Sequence, residues 1–332
     1  MTTKRVAKSA SDTLSHTFYV GEQPTDPGTP TYLITDATGA TVASGSATSA
    51  GAGTGTVTAP LAAQSALKTL TVAWAGTIGG ATVTETDTVE ICGGFLFGLV
   101  EGRASDSSLA DTNKYTTQDL IDARQATEEE CEWITANAWT LRYRRVVLDG
   151  TGTSDLALPD GGDIEQSGIV LRGVRTIRSA SVAPRIGQTF VALTAGQLAA
   201  LAVTTDGLLR RTDGDVWPEG LQNVLLEYEY GNDASPADLK RAMTLRFRSR
   251  LNISKTNIPD RATSFSSVDG GTYRLSLPDA YRTGLPDVDG PYARYSRRAR
   301  GGTGQTGNQS VPASRTLTYT PQRNSIFHQR NT

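Results

Sequence analysis

Alternating polar and apolar positions predict short strands in the N-terminal part of the chain. Thr69-Leu70-Thr71-Val72-Ala73-Trp74 alternates as a half-buried strand does. Turn signals such as Asp26-Pro27-Gly28 and Gly79-Gly80 separate this segment from similar ones. The predicted strands cover residues 16–20, 31–35, 41–43, 55–58, 67–74 and 81–91.

Strands of this length and spacing, with one Trp among small residues, predict an Ig-like β-sandwich over residues 1–93. Within it, the Gly/Ala/Ser/Thr-rich residues 43–55 fit either a long hairpin loop or a flexible tip, and composition does not decide between them. Gly93-Gly94 marks the end of the module. Residues 94–114 are predicted to be a linker whose apolar start, residues 95–100, docks on one of the domains.

A helical period of apolar residues begins after Tyr115. Thr116 is the predicted N-cap, with Asp119 at the positive end of the helix dipole. The residues that recur at helical spacing are Leu120, Ile121, Arg124, Glu128, Cys131 and Ile134. Arg124 and Glu128 lie one turn apart and are expected to pair.

The acidic run of this helix, residues 128–130 with Glu132, has two interpretations. It resembles an acid/base or metal cluster, but a solvated helix face is favoured, with Cys131, Ile134 and Ala138 turned inward.

A β-rich section follows, with predicted strands at residues 141–149, 156–159, 168–182, 190–193, 208–211 and 221–230. Thr194 is the expected N-cap of a short helix over residues 194–201. Residues 213–220 carry the signal of a hairpin turn.

A second helix starts at Ser235-Pro236-Ala237-Asp238, which supplies an N-cap, a Pro at the first position and an early acid. Leu239, Met243, Phe247 and Leu251 form its predicted core stripe. Its arginines are Arg241, Arg246, Arg248 and Arg250. A basic helix can bind nucleic acid, but pairing with the acidic first helix or with a neighbouring subunit is favoured.

Residues 258–332 are predicted to form an extended C-terminal arm, because prolines and glycine pairs punctuate them. Its apolar content exceeds what a disordered tail needs, so an arm that packs on another subunit is expected. The apolar positions are Tyr273, Leu275, Leu277, Tyr281, Val288, Tyr292 and Tyr295.

Composition agrees with a chain of several modules. The 332 residues favour two domains, and the hydrophobic fraction of 37% suits short strands and turns more than one large core. The net charge of -2 hides an asymmetry, since residues 13–93 are mostly acidic and no acid follows Pro291. A basic end of this kind suits an acidic partner or phosphate, and a solvated tail is an equal alternative.

The sequence gives little support to enzyme chemistry or to a cofactor. His16 and His328 are the only histidines, stand near opposite ends and lie outside the predicted cores. Gly302-Thr303-Gly304-Gln305-Thr306-Gly307 matches a dinucleotide-binding pattern but lacks the strand and helix that the motif requires. The pairs Asp213/Asp215 and Asp287/Asp289 lie in turn-like contexts, where caps and turns are expected.

Cys92 and Cys131 give no disulfide framework, so a reducing compartment is expected. No secretory signal or apolar run of membrane-spanning length is present. We therefore predict a soluble, non-enzymatic protein that is made in a cytoplasm and contacts no membrane.

The order of segments from Tyr115 to about Arg298 resembles the head–tail connector, or adaptor, proteins of long-tailed bacteriophages. The segments that carry the resemblance start with Asp119-Leu120-Ile121-Asp122-Ala123-Arg124, Leu148-Asp149-Gly150-Thr151-Gly152 and Leu156-Ala157-Leu158-Pro159. They continue with Trp217-Pro218-Glu219-Gly220, residues 224–231 and Pro236-Ala237-Asp238-Leu239-Lys240-Arg241-Ala242. Ile258-Pro259-Asp260-Arg261, Gly271-Thr272-Tyr273 and residues 283–288 are similar to adaptors of phages that infect actinobacteria. The N-terminal β module departs from the pattern, since many family members lack it.

The resemblance implies an α+β adaptor domain over residues 115–257, in which a helical hairpin or bundle carries an inserted small β-sheet. It implies a virion protein of the neck, assembled in the host cytoplasm as a ring of about twelve copies. Its partners would be neighbouring copies, the portal protein, and a tail-completion (stopper) or tail protein. Genomic DNA would pass through the channel without sequence-specific binding.

The predicted partner contacts lie in the C-terminal arm. They are Tyr281, Pro286, Val288, Tyr292, Tyr295, Arg294, Arg297, Arg298 and Arg300. Arg suits bidentate pairing at interfaces, and a channel that releases DNA should not grip it, so a protein partner ranks before phosphate. The alternatives are a tail terminator, a capsid-decoration protein, or an Ig-like module that binds a surface glycan.

Overall fold

Two β-sheets enclose the first hydrophobic core of the chain. The structure, a computed structural model, describes residues 3–166, 168–253, 264–266, 272–274 and 281–297. The strands of the N-terminal module are β1 (Thr3–Ala7), β2 (Asp12–Thr17), β3 (Tyr19–Val20), β4 (Gln23–Pro24), β5 (Gly28–Asp36), β6 (Thr41–Ser46), β7 (Thr48–Ser49), β8 (Thr56–Leu61), β9 (Lys68–Ile78) and β10 (Ala81–Cys92). The larger sheet has the order β1-β10-β9-β5-β6, and the smaller has the order β2-β8-β7.

The predicted alternation in β9 is confirmed. Leu70, Val72 and Trp74 are buried, whereas the residues between them are only partly covered. They meet Leu14 and Val57 from the smaller sheet in one core, so the two sheets stabilise each other. Residues 43–55, which composition left open, contain the end of β6, the short strand β7 and the turn that leads to β8.

The segment that follows the N-terminal module packs on the helical part of the chain. It contains α1 (Leu99–Ala104) and a 3-10 turn at Ser107–Ala110, so the predicted linker includes two helical pieces. Leu96, Phe97 and Leu109 are buried in the second core, which agrees with an apolar start that docks on a domain.

Two long helices form the second core. In α2 (Thr117–Thr135), Thr116 and Asp119 form a capping box, which confirms the predicted N-cap. In α4 (Ala237–Ile253), Leu239, Met243, Phe247 and Leu251 are all buried, which confirms the predicted stripe. The pairing of its arginines with acids is confirmed for Arg246 and Arg250, which both bind Glu130 of α2.

The β-rich section between α2 and α4 has its own core. Its elements are β11 (Arg142–Gly150), β12 (Asp155–Ala157), β13 (Ile164–Gln166), β14 (Ile169–Leu171), β15 (Val174–Val182), β16 (Val191–Ala192), α3 (Ala195–Ala199), β17 (Leu201–Val203), β18 (Leu208–Arg211) and β19 (Gly220–Tyr230). The main sheet has the order β11-β19-β15-β16, beside a smaller sheet β12-β18-β17. Trp217 and Tyr228 are fully buried between them. Thr194 caps α3 as predicted.

The prediction of an extended C-terminal arm is wrong for residues 286–294, which form a helix. Beyond the pair β20 (Ser264–Ser266) and β21 (Thr272–Arg274), residues Pro286–Arg294 form helix α5. Val288 and Tyr292 are four residues apart and point into the core of α2 and α4. Pro286 occupies the first turn of α5, where a missing N–H is harmless, whereas Pro291 lies inside the helix and leaves one intrahelical hydrogen bond unmade.

The coarse prediction of a β-rich, multidomain fold is confirmed by these separate sheets and cores. The arm's remaining residues, including the glycine pattern 302–307, lie outside the described residues.

Replacing Phe247 with Ala should test the helical core. Phe247 is fully buried and meets Phe97 edge to face with 5.2 Å between ring centroids. We expect Phe247→Ala to lower the free energy of unfolding by about 3–5 kcal/mol, measured by denaturant titration. Val100→Ala is the control, because Val100 is 85% exposed on α1. A similar loss in both variants would contradict this packing.

Candidate partner-binding surface

A partly buried ionic cluster joins the N-terminal module to the helical part of the chain. Arg5 of β1 bonds Glu90 of β10 at 3.2 Å and Glu132 of α2 at 2.8 Å. Arg142 of β11 bonds the same two carboxylates, at 3.3 Å to Glu90 and 2.6 Å to Glu132. Each acid therefore faces two guanidinium groups, and four elements meet at one point. We call Arg5, Glu90, Glu132 and Arg142 the junction cluster.

Glu128 lies beside the junction cluster and has no exposed surface. Its Oε1 accepts the backbone N–H of Leu96 at 2.9 Å, and its Oε2 is 3.9 Å from Nη1 of Arg5. Burial raises the pKa of this carboxyl, although the Leu96 N–H and the nearby arginines act in the opposite direction. The prediction of a solvated acidic face is therefore wrong for Glu128.

The other acids of this run have different surroundings. Glu130 binds Arg246 and Arg250, and although burial acts to raise its pKa, these bonds bring the pKa below the ordinary value. The guanidinium of Arg124 lies over the ring of Phe95, 3.4 Å from its centroid. Glu128, Glu130 and Glu132 thus contact other elements, which the sequence alone did not indicate, whereas Glu129 is exposed as predicted.

Two further arginines hold the N-terminal module against the β insertion. Arg178 of β15 bonds Glu229 of β19 and donates to the carbonyl of Leu67 at 2.5 Å. Arg145 of β11 donates to the carbonyl of Ala37. Together with the junction cluster, these contacts fix the module on both α2 and the main sheet of the insertion.

The end of the described C-terminal segment is clamped to the body of the chain. The guanidinium of Arg297 donates to Asn137 Oδ1 at 2.8 Å and to the carbonyls of Leu171 and Gly162 at 2.8 and 2.9 Å. Its backbone N–H donates to the carbonyl of Thr135 at 2.7 Å. Burial lowers the pKa of Arg297. Arg297 therefore joins α2 and the β insertion inside one chain.

Most of the predicted partner contacts are internal in this structure. Val288, Tyr292 and Tyr295 are buried in the helical core, so the interpretation of these three as surface contacts is corrected. Their burial follows from the helical spacing of α5. Arg294 pairs with Asp238 at 2.8 Å and is half exposed, and Pro286 is exposed. Arg298 and Arg300 lie outside the described residues.

Tyr281 is the predicted contact that belongs to an open surface. It is 40% exposed and stacks on Trp133 of α2, which is 52% exposed, with 4.8 Å between ring centroids and 9° between ring planes. Trp133 also lines a cleft of about 420 Å³ between α2 and the β insertion. The two rings thus form a flat aromatic step at the rim of the cleft.

Two arginines stand on the other walls of this cleft. Arg144 pairs with Asp160 at 3.0 Å and lies over the ring of Tyr230, and Arg172 pairs with Asp163 at 2.6 Å. Both side chains remain more than a third exposed. We call Trp133, Tyr281, Arg144 and Arg172 the aromatic–arginine surface. Trp, Tyr and Arg are the residue types that dominate binding energy in protein interfaces.

Sequence reasoning found Tyr281 but missed the other three members. For Trp133 a signal was present: it comes two residues after the buried Cys131, so a helix turns it to the opposite side. For Arg144 and Arg172 no local signal existed, because only the fold of the insertion brings them to the cleft.

The remaining candidate chemistry is held in local pairs. Asp213 and Asp215 both bind Arg211, and Asp289 accepts from the backbone and hydroxyl of Thr283. His16 lies on β2 and is only partly covered, with its ring nitrogens 2.7 Å from Asp87 and 3.1 Å from Glu85. Within the described ranges, no three His, Cys, Asp or Glu side chains are grouped as metal ligands.

The N-terminal module offers few aromatics for a glycan. Phe18 and Trp74 are buried in its core, and Tyr32 is partly covered, which leaves Tyr19 as the exposed ring among the four that the sequence supplies. Among the helices that the structure describes, none is long and apolar enough to cross a membrane.

Comparison with solved structures gave similarity of small extent. No protein-family model matches the chain, and no curated protein is similar to it. The crystal structure of CopC from Methylosinus trichosporium OB3b aligns with 18% identity and a TM-score of 0.21. The alignment covers 27% of this chain and 84% of that protein.

Removing Arg142 should destabilise the junction strongly. Its loss leaves Glu90 and Glu132 with only Arg5, in a site that excludes most solvent. We expect Arg142→Ala to lower the free energy of unfolding by about 3–5 kcal/mol in a denaturant titration. The matched control is Arg210→Ala, which breaks the solvent-exposed pair with Asp155 and should change the free energy of unfolding far less. Equal losses would refute the junction as described.

Replacing Glu128 with Gln should change how stability depends on pH. Because the pKa of Glu128 is raised, the folded chain holds the proton more tightly than the unfolded chain does. The stability that the protonated carboxyl contributes is present below the ordinary pKa of 4.5 and is lost as pH rises through the folded pKa. Glu128→Gln cannot lose a proton, so its free energy of unfolding should rise relative to the parent chain above that pH. Unfolding at a series of pH values measures the difference, and a constant difference would contradict the assignment.

Proposed function

We propose that this chain is a structural subunit of a tailed bacteriophage, a head-to-tail adaptor that forms a ring beneath the portal. The ring would join the capsid to the tail and continue the DNA channel, and the role is non-enzymatic. The support from the sequence is the order of segments between Tyr115 and Arg298. In the structure the segments between residues 119 and 242 fall on α2, the β insertion and α4, and α5 packs on both helices.

The observation that carries the proposal is the aromatic–arginine surface. It combines two exposed stacked rings with two exposed arginines around a cleft, next to the point where Arg297 anchors the chain. Such a surface suits a protein partner that supplies acidic side chains, because Arg pairs bidentately with carboxylates. The portal is the first candidate, and a tail-completion or tail protein is the second.

The rigid attachment of the N-terminal module also fits a structural role. We propose that this two-sheet module is an Ig-like decoration of the adaptor domain. Its junction cluster and the contacts of Arg178 and Arg145 hold it in one position, as a ring that bears load requires. The copy number of about twelve and the location in the virion neck follow from the resemblance alone.

Assembly on the portal tests the function directly. The purified full chain should be measured by light scattering and negative-stain microscopy, with and without portal protein. We expect a small species alone that closes into rings when portal is present. A compact monomer that ignores the portal would contradict the adaptor proposal.

Truncating the stacked rings should weaken portal binding. Trp133→Ala and Tyr281→Ala each remove one face of the aromatic step, and we expect each to lower the affinity about tenfold or more in a titration of labelled portal. Tyr19→Ala is the control, because Tyr19 is equally exposed but lies on the N-terminal module. If all three variants bind as the parent does, another surface meets the portal.

A further inference from the structure

The larger N-terminal sheet has one edge strand, β1, that is covered by α2 and another, β6, that is not. At the β1 edge, the side chain of Gln125 from α2 takes the place of a neighbouring strand. Its Nε2 donates to the carbonyl of Thr3 at 2.5 Å, and its Oε1 accepts the backbone N–H of Arg5 at 3.4 Å. Lys4 and Arg5 add charge to the same strand. This edge is therefore closed to strand addition.

The opposite edge has no such cover. Strand β6 (Thr41–Ser46) pairs with β5, and no other described strand or side chain bonds its outer backbone. Its sequence, Thr-Val-Ala-Ser-Gly-Ser, contains neither a charged residue nor a proline. Thr41, Ser44, Gly45 and Ser46 are exposed. Half of the backbone N–H and C=O groups of such an edge point outward and are available for pairing.

The other edge strands of the described sheets are blunted in the ways that proteins commonly use. β16 and β17 have two and three residues. β11 carries Arg142, Arg144 and Arg145, and β2 carries Asp12 and His16. Uncharged, uncovered edges invite pairing, and beyond a bulge at Val42 the ladder of β6 is regular over residues 43–46, so we expect this edge to be used.

A segment that fits this edge occurs in the same sequence. Residues 315–320, Arg-Thr-Leu-Thr-Tyr-Thr, alternate β-branched threonines with Leu317 and Tyr319, and Pro321 follows. That pattern favours a strand with one apolar side. The charges also match, since the sequence has no acid after Pro291, whereas residues 13–93 carry six acids and one base, Lys68.

We propose that β6 accepts residues 315–320 of a second copy of the chain by strand addition. Arg297 is anchored at the end of α2, and α2 contacts the β1 edge of the sheet. Strand β6 is the opposite edge of that sheet and lies away from α2. The residues between Arg297 and Arg315 can span roughly 60 Å when fully extended. The inference rests on the proposed function only in that a ring sets a second copy beside each subunit.

Disulfide crosslinking between two single variants tests the proposal. Ser44→Cys and Thr318→Cys chains are mixed at high concentration, with and without portal, under mild oxidation. Cys92 and Cys131 are buried and do not compete. We expect a covalent heterodimer in at least about tenfold higher yield than in a mixture of Ser44→Cys with Thr306→Cys, because pairing raises the effective concentration at residue 318.

Three results would overturn it. If Thr306→Cys and Thr318→Cys crosslink to Ser44→Cys in equal yield, residues 315–320 do not pair with β6 in a defined register. The double variant Ser44→Cys/Thr318→Cys could instead form a disulfide within one chain. If it does so and the mixture of single variants gives no heterodimer, β6 pairs with residues 315–320 of its own chain. Homodimers of Ser44→Cys in preference to heterodimers would mean that two β6 edges pair with each other.

A change of the edge itself separates this inference from the proposed function. Ser44→Lys places a charge on the open edge, and Ser44→Thr is the matched control. For this test the cysteine is at Ser46, which lies on the same face of β6 as residue 44. We expect Ser44→Lys to reduce the yield of the crosslink between Ser46→Cys and Thr318→Cys by about tenfold, and Ser44→Thr to leave that yield unchanged. If rings form on the portal but no crosslink appears, strand addition is contradicted and the adaptor proposal stands. If the crosslink forms but no rings do, strand addition stands and the adaptor proposal is contradicted.

Discussion

The shared pairing of Arg5 and Arg142 with Glu90 and Glu132 is the contact on which the arrangement of the whole chain depends. The four side chains come from β1, β10, α2 and β11, so they tie the first core to the second and to the β insertion. Removing charged groups from water is costly, and the mutual attraction offsets that cost only while every partner is in place. Such a cluster tolerates little change in the angle between the modules.

Local signals in the sequence were enough to predict the elements that depend on neighbouring residues. Thr116 with Asp119 predicted the start of α2, and the spacing of Leu239, Met243 and Phe247 predicted the buried face of α4. Both depend on backbone geometry within one or two turns. Helix α5 was missed because its prolines and glycine indicated irregular chain, while the contacts of Val288 and Tyr292 with distant helices decide the outcome.

The candidate surface was harder to predict because its members meet only after folding. Tyr281 and Trp133 are far apart in sequence, and Arg144 and Arg172 lie on separate strands or loops of the insertion. The burial of Glu128 has the same origin, since its surroundings come from Leu96 and Arg5. A charged run in a helix shows its amphipathic character, but not which of its charges will face a second domain.

The fixed position of the N-terminal module has a consequence for any partner that contacts both modules at once. Two domains joined by a flexible linker lose orientational freedom when they bind one partner. This entropy loss opposes binding and lowers the affinity. Here Arg178 and Arg145 reinforce the junction, so folding has already removed this freedom. A partner that spans both modules therefore meets a preorganised surface, and more of its contact energy is expressed as affinity.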